Sequence, residues 1–249
     1  MLNRDAIVSQ LNNRRYRDGL MVLDSIQSTN TRLRKMAQAG AAEGTTLMAD
    51  TQTGGRGRRG RTFSSAEGGV YLSTLLRPTA PTDPGLITCR AAVAAARAIE
   101  SLCPLTVEIK WVNDLFIAGR KVAGILAEGI LAPDGGLSAV VLGVGINVCN
   151  TLPDDLADIA TTLHQQGVAV TREAVAAAFL NEWERVLTDP HWMAEYRRRS
   201  MVIGRPVTVM QGDKTYSATA VDVTDSGHLV VSTPDGERTL SSGEVSVRL

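Results

Sequence analysis

Residues 51–65, TQTGGRGRRGRTFSS, place four arginines and four glycines within the eight positions Gly54 to Arg61. No acid falls between Thr51 and Ala66. Guanidiniums crowded this closely repel one another until an anion arrives, and the glycines leave the backbone free to close around it. The chemistry on offer is therefore the binding, and shielding from water, of a negatively charged ligand.

Three common anion-binding patterns fit the letters and fail on context. Gly55, Gly57 and Gly60 satisfy G-x-G-x-x-G, but that fingerprint needs a helix opening directly on the glycines. RTFSSAEGG is a poor helix, and bulky arginines occupy places where backbone must approach phosphate closely. Gly55, Gly60, Arg61 and Thr62 come within one residue of a P-loop, yet Arg61 stands in the lysine position and no helix follows. Arg-Gly segments that bind RNA are long, repeated and interleaved with aromatics; this is one short burst inside a folded pattern.

The elements that must hold this loop are legible on both sides of it. GLMVLDSI reads as a strand leading into STNTRLRKMAQAG, a helix with Ser28 and Thr29 as capping candidates and Gly40 at its end. TTLMAD and GGVYLSTLLR are strands flanking the loop, and LITCRAAVAAARAIESLC is an alanine-rich helix stopped by Pro104. LTVEIKW, then DLFIAGRKVAGILAEGIL turning near Ala118–Gly119, then LSAVVLGVGINV, predict three further strand regions, the middle one a hairpin. Helices resume at REAVAAAFLNEWERVL and HWMAEYRRR. After Met201 the chain becomes short β segments broken by Gly-Asp, Asp-Ser-Gly and Pro-Asp-Gly turns. Two units are expected: residues 1–201, mixed α and β, and residues 202–249, a small all-β domain. The N-terminus reads as a short amphipathic helix.

Totals narrow the classes. The 249 residues carry 26 basic and 26 acidic side chains, 44% hydrophobic and 21% charged residues. A neutral balance argues against non-specific binding to nucleic acid or membrane. Three cysteines (Cys89, Cys103, Cys149) without a C-x-x-C pair read as reduced thiols of a cytoplasmic protein. No apolar run marks a signal peptide or a membrane span.

Five motifs in register, STN (Ser28–Asn30), GRGRRGR (Gly55–Arg61), KWVND (Lys110–Asp114), GRKVAGILAE (Gly119–Glu128) and GVGIN (Gly143–Asn147), resemble those of biotin protein ligases. The resemblance covers roughly residues 20 to 249. It implies an α+β catalytic domain, a mixed β-sheet flanked by helices, followed by a small SH3-like β-barrel. It also implies two half-reactions: ATP activates biotin to biotinyl-5′-AMP, and a lysine on the biotin carboxyl carrier domain of acetyl-CoA carboxylase then takes the biotin.

Carboxylate against triphosphate is a juxtaposition of anions, a repulsion of several kcal/mol at an effective dielectric of about 20. On that reading Arg58 and Lys121 contact the carboxylate and α-phosphate, Arg61 lies nearer the nucleotide, Asp114 is the Mg²⁺ ligand, and Asn113 positions that carboxylate or the nucleotide. The resemblance further implies that Ser28, Thr29, Asn30 and Gln52 receive the ureido ring, with the backbone of Arg56 and Gly57 close by. Gly124, Ile125, Leu126 and the Gly143–Gly145 strand would wall the slot, and Asn147 falls where the family binds adenylate.

The chain departs from the family in two places: Val112 stands where proline is usual, and Phe63 where many members carry tryptophan. Only 27 residues precede Ser28, too few for the N-terminal DNA-binding domain of some members, so no nucleic-acid partner and no repressor role are expected. Monomer and homodimer are both open. Arg197, Arg198 and Arg199 read as a solvated helix end.

Overall fold

The structure is a computed structural model that describes residues 1–78, 83–133, 135–211, 214–241 and 244–247. Two short helices open the chain, α1 (Arg4–Val8) and α2 (Arg14–Gly19), where one was expected. Each has its own asparagine cap: Asn3 accepts from the Ala6 amide and Asn13 from the Arg15 amide, and a cap restarts rather than continues a helix.

The larger sheet has seven strands: β1 (Leu20–Ile26), β2 (Thr46–Gln52), β3 (Val70–Leu76), β4 (Glu108–Lys110), β5 (Asp114–Ile117), β6 (Arg120–Leu131) and β7 (Leu137–Ile146). Their spatial order is β1-β2-β3-β7-β6-β5-β4. Only β1 and β2 pair parallel, around the crossover helix α3 (Thr29–Gln38); the other pairs are antiparallel. The β5–β6 hairpin turns at Ala118 and Gly119, whose φ values are +49° and +75°, as a tight two-residue hairpin requires.

Helices flank the sheet on both faces: α3 packs on β2, β3 and β7 through Leu33 and Ala37, and two longer helices cover the opposite face. Helix α4 (Pro84–Leu102) packs on α5 (Arg172–Thr188) and touches β6. It starts two residues earlier than its apolar pattern indicates: Asp83 caps it through the Gly85 amide at 2.6 Å and Pro84 occupies the first turn. Its run of buried alanines lets α5 approach closely, and Phe179, Leu180 and Trp183 fill the interface.

Helix α6 (Trp192–Arg199) leads to a five-stranded antiparallel sheet of SH3-like type, β8 (Pro206–Gln211), β9 (Lys214–Val223), β10 (Leu229–Thr233), β11 (Gly236–Leu240) and β12 (Glu244–Val247), in the order β11-β10-β9-β8-β12. Two of the three arginines closing α6 are not solvated. Arg199, 12% exposed, pairs with Glu100 at 2.7 Å and Glu195 at 2.8 Å. Arg197 reaches the Val223 carbonyl at 2.6 Å and Asp225 at 2.7 Å, fastening the β9–β10 turn to α6. Arg198 alone matches the solvated reading.

Candidate active site

A cleft opens on one face of the seven-stranded sheet, and the arginine loop forms its rim. Arg56, Gly57, Arg58, Arg59, Arg61, Thr62 and Phe63 line it from above; Gly124, Ile125, Leu126 and Gly143–Gly145 line it from below. Gly124 and Gly145 are paired across β6 and β7, directly under the Phe63 ring. A Cβ on Gly145 would lie 2.6 Å from that ring, and one on Gly124 3.2 Å from it. Side chains at either position would lift the aromatic roof.

The loop is a small closed structure. Gly57 N–H donates to the Arg61 carbonyl at 2.8 Å, and Phe63 N–H to the Gly55 carbonyl at 3.0 Å. Arg56 and Thr62 form an isolated antiparallel bridge, and Arg59 and Gly60 take positive φ to turn the chain between them. No helix follows. The acid missing from the loop's own sequence comes from β6: Glu128 pairs with Arg56 at 3.2 Å. Arg58 donates to Asn113 Oδ1 at 3.2 Å. The expected self-repulsion is therefore relieved in part by distant residues, and this half of the electrostatics had no local signal.

One end of the cleft is charged. Lys121 Nζ lies 2.8 Å from Asp114 Oδ1, which also accepts from Asn113 Nδ2 at 3.0 Å. A β-bulge makes this meeting possible. Asp114 pairs with Gly124 and Phe116 with Lys121, so Val122 is the extra residue on β6. Without it the odd spacing from 121 to 124 would turn Lys121 to the opposite face. Lys110 and Trp111 complete this end. The Trp111–Val112 peptide is cis.

The other end is neutral and polar. Ser28 caps α3 through the Thr31 amide at 3.4 Å and lines the cleft as well, so capping and lining coexist. Gln52 Oε1 accepts from the Thr29 amide at 2.9 Å and from its hydroxyl at 3.1 Å, while Gln52 Nε2 donates to Ser65. Ser73, fully buried, sits 2.7 Å from the Thr29 hydroxyl and 2.6 Å from Asn30 Oδ1. The Asn30 amide donates to Glu128 Oε2 at 2.9 Å. Ser73, Ser65 and Glu128 were missed as members of this network. Nothing in a one-dimensional pattern marks a strand serine as a neighbour of a helix terminus.

The remaining expectation, Asn147, falls elsewhere. It is buried at the end of β7, with its amide donating to the Thr161 carbonyl at 3.2 Å and its oxygen accepting from Asn150 at 3.2 Å. It is not among the residues lining the cleft.

Tyr71 stands beneath the loop with its hydroxyl donating to the Ala66 carbonyl at 2.5 Å and its ring edge-on to Phe63. Burial pushes its pKa far up, so it acts as a neutral spacer. Asp114 is the single acid lining the cleft, and no cluster of three metal-ligating side chains occurs among the described residues. One carboxylate suits a cation that brings most of its own oxygen ligands.

A lysine and arginines at one end, neutral donors and acceptors at the other, and a bare glycine floor between them characterise an enzyme that joins a small, mostly apolar acid to an anionic co-substrate. Residues 22–147 match the Biotin/lipoate A/B protein ligase family, and residues 202–248 match the biotin protein ligase C-terminal domain. Two curated relatives agree. A biotin–[acetyl-CoA-carboxylase] ligase of Mycobacterium tuberculosis is 34% identical over 98% of both chains. The bifunctional ligase/repressor BirA of Bacillus subtilis is 34% identical over 92% of this chain and 74% of its own. A solved biotin protein ligase of Aquifex aeolicus, in complex with biotin and ATP, superposes with a TM-score of 0.81 at 29% identity, covering 92% of this chain and 98% of that one. The chain belongs to the biotin/lipoate A/B protein ligase family, in its biotin protein ligase branch.

Proposed function

We propose that the cleft activates biotin with ATP and hands it to a lysine of the biotin carboxyl carrier domain of acetyl-CoA carboxylase. In the first half-reaction a biotin carboxylate oxygen attacks the α-phosphorus of ATP, forming biotinyl-5′-AMP as pyrophosphate leaves. In the second the carrier lysine's amine attacks the acyl carbon, an amide forms, AMP leaves, and the amine's proton passes to solvent. Residues 1–201 carry the cleft and residues 202–249 the supporting module.

The observation that carries this reading is the polarity of the cleft. A flat, uncharged ureido ring fits the Ser28–Thr29–Asn30–Gln52 end, where neutral donors and acceptors line the cleft and are fixed by their neighbours, the Glu128 carboxylate behind Asn30 being engaged by that amide and by Arg56. The apolar arm fits the glycine floor beneath Phe63, with Leu126 and the backbone of Arg56 and Gly57 alongside. The carboxylate then points to Arg58 and Lys121, which offset its repulsion from the α-phosphate and stabilise the charge that develops there. Arg61 contacts the nucleotide phosphates. Mg²⁺ fits Asp114 as sole protein carboxylate, with Asn113 holding that carboxylate in place; when bound it supplies charge neutralisation on the phosphates. Asn147 supports the adenylate region from behind β7.

The acyl-adenylate is water-sensitive, and the loop's second task is to keep it covered until the carrier arrives. Pyrophosphate exchange into ATP, measured with biotin or with lipoate, tests the assignment. Exchange with biotin and none with lipoate is the expected result; the reverse sinks the reading. Mass spectrometry of the carrier domain should then show one modified lysine.

A further inference from the structure

Glu128 contacts neither end of the ligand in the reading above, yet it touches the structures that serve both. Residues 124, 126 and 128 of β6 share one face. Gly124 and Leu126 line the cleft, and Glu128 is the next residue along that face, 16% exposed. One carboxylate oxygen accepts from the Asn30 amide at 2.9 Å, and the other lies 3.2 Å from the Arg56 guanidinium. Asn30 itself has little freedom. It is 5% exposed, Ser73 holds its oxygen, and a Cβ on the Gly143 beneath it would come within 2.2 Å of that oxygen.

We infer that Glu128 is a positioning residue that couples the polar end of the cleft to the arginine loop. Its carboxylate, closer to the Asn30 amide than the Leu126 carbonyl at 3.4 Å, is the main acceptor that sets which way that amide faces and, through the same group, holds the loop's first arginine down. Arg56 is half-exposed and has alternatives in solvent; Asn30 does not. The carboxylate is thus anchored by the amide and exerts its hold on the guanidinium. A glutamine cannot replace it. With its oxygen turned to Asn30, its NH₂ faces another donor on Arg56; turned the other way, it faces the donor on Asn30.

The inference rests on the proposed ligase function and separates from it experimentally. In Glu128→Gln the KM for biotin in pyrophosphate exchange should rise roughly tenfold, the scale of one charge-assisted contact. The kcat should stay within about twofold, because Lys121 and Asp114 lie at the far end. Biotin labelling of a bystander protein should rise as adenylate escapes. Arg56→Gln should also leak, and the double variant should leak no more than the worse single one, since both remove one link. Wild-type KM and labelling in Glu128→Gln, a fall in kcat alone, or multiplying effects in the double variant would each overturn the coupling.

Trypsin gives a readout that needs no activity. The unliganded Glu128→Gln protein should be cut within residues 56–61 several-fold faster than wild type at equal global stability. Equal cutting removes the latch. Faster cutting in a protein whose wild type shows no biotin-dependent exchange keeps the latch and discards the ligase reading. If Glu128→Gln does not fold, Arg56→Gln decides alone: faster cutting and leakage support the latch, and neither overturns it.

Discussion

Replacing Lys121 by glutamine separates catalysis from stability. The ammonium sits 2.8 Å from Asp114 Oδ1 and 5.9 Å from the Phe63 ring centroid. At an effective dielectric of about 20 the ion pair's gross attraction is about 6 kcal/mol. Both side chains reach solvent, 32% and 25% exposed, so water and side-chain entropy reduce the net loss to about 1 kcal/mol. That shifts Tm by about 2–4 °C in a chain of this size and leaves the enzyme folded. The reaction loses more. A fixed cation aimed at charge developing on the transferred phosphoryl group is worth about 3–4 kcal/mol, two to three powers of ten in kcat. Biotin-dependent pyrophosphate exchange at saturating substrates should therefore collapse while the melting curve barely moves. Preformed biotinyl-5′-AMP bypasses the step, and with it carrier labelling should return to the wild-type order of magnitude. Unchanged exchange would refute the role of Lys121, and an equal loss with preformed adenylate would move it to the transfer step.

Three other perturbations probe separate parts. Arg58→Gly removes a loop guanidinium from the Asn113 side of the cleft; the variant should release adenylate early and label bystander lysines, and retention equal to wild type would contradict the clamp. Trp111→Phe deletes the indole N–H that donates to the Gly227 carbonyl at 2.9 Å. Leaving that acceptor only the weak Cys89 thiol donor at 4.0 Å should cost about 1–3 kcal/mol in thermal denaturation, with a fall in exchange kcat. Acid should unfasten α6. Burial alone would raise the pKa of Glu100 and Glu195, but Arg199 at Glu100, and Arg97 and Arg199 at Glu195, outweigh it and hold both below the ordinary value. Depressed carboxyls contribute stability that is complete above the unfolded pKa, about 4.3, and lost as pH falls through the folded one. Stability measured from pH 7 down to pH 3 should drop below that value, and Glu195→Gln should flatten the drop.

The sequence was most legible where the physics is local. Ser28 before an amphipathic run, Ala118–Gly119 between two strand patterns and Gly40 after a helix each determine their own backbone within a few residues. The cationic loop declared its charge, and its position between two strands placed it over a sheet. The bulge at Val122 was not readable. It breaks the alternation of β6 by one residue, and only pairing with β5 shows which residue is extra. Nor was Glu128, because a carboxylate on a strand carries no mark of the arginine 72 positions upstream that it will meet. The Arg197–Arg199 run misled for the opposite reason: charge at a helix end is ordinarily solvated, and here the partners Glu100, Asp222 and Asp225 come from other elements. Asn147, which the motif alone assigns to the adenylate, has its amide nitrogen engaged by the Thr161 carbonyl and its oxygen by Asn150, partners with no mark in the motif.

The activation cluster depends on helix α6 and on the C-terminal module for a reason visible in the sheet itself. Lys110 ends β4, a three-residue edge strand whose one neighbour in the sheet is β5, Asn113 lies in the link between the two, and Asp114 begins β5. A strand that short cannot by itself hold side chains to the tolerance that phosphoryl chemistry demands. Its backbone is fastened from behind instead. Met201 N–H donates to the Ile109 carbonyl at 2.9 Å, the Tyr196 hydroxyl donates to the Val112 carbonyl at 3.2 Å, and Gly227 receives the Trp111 indole. Gly227 adopts φ +81° and lies so close to Cys89 that a Cβ would meet its sulfur at 3.2 Å; a bulkier turn would push the clip away. Arg197 then holds that turn in place through Asp225 and the Val223 carbonyl. Residues more than eighty positions downstream thus fix the back of the site, while the arginine loop fixes its front. The charges assigned to carboxylate activation are held between these two supports.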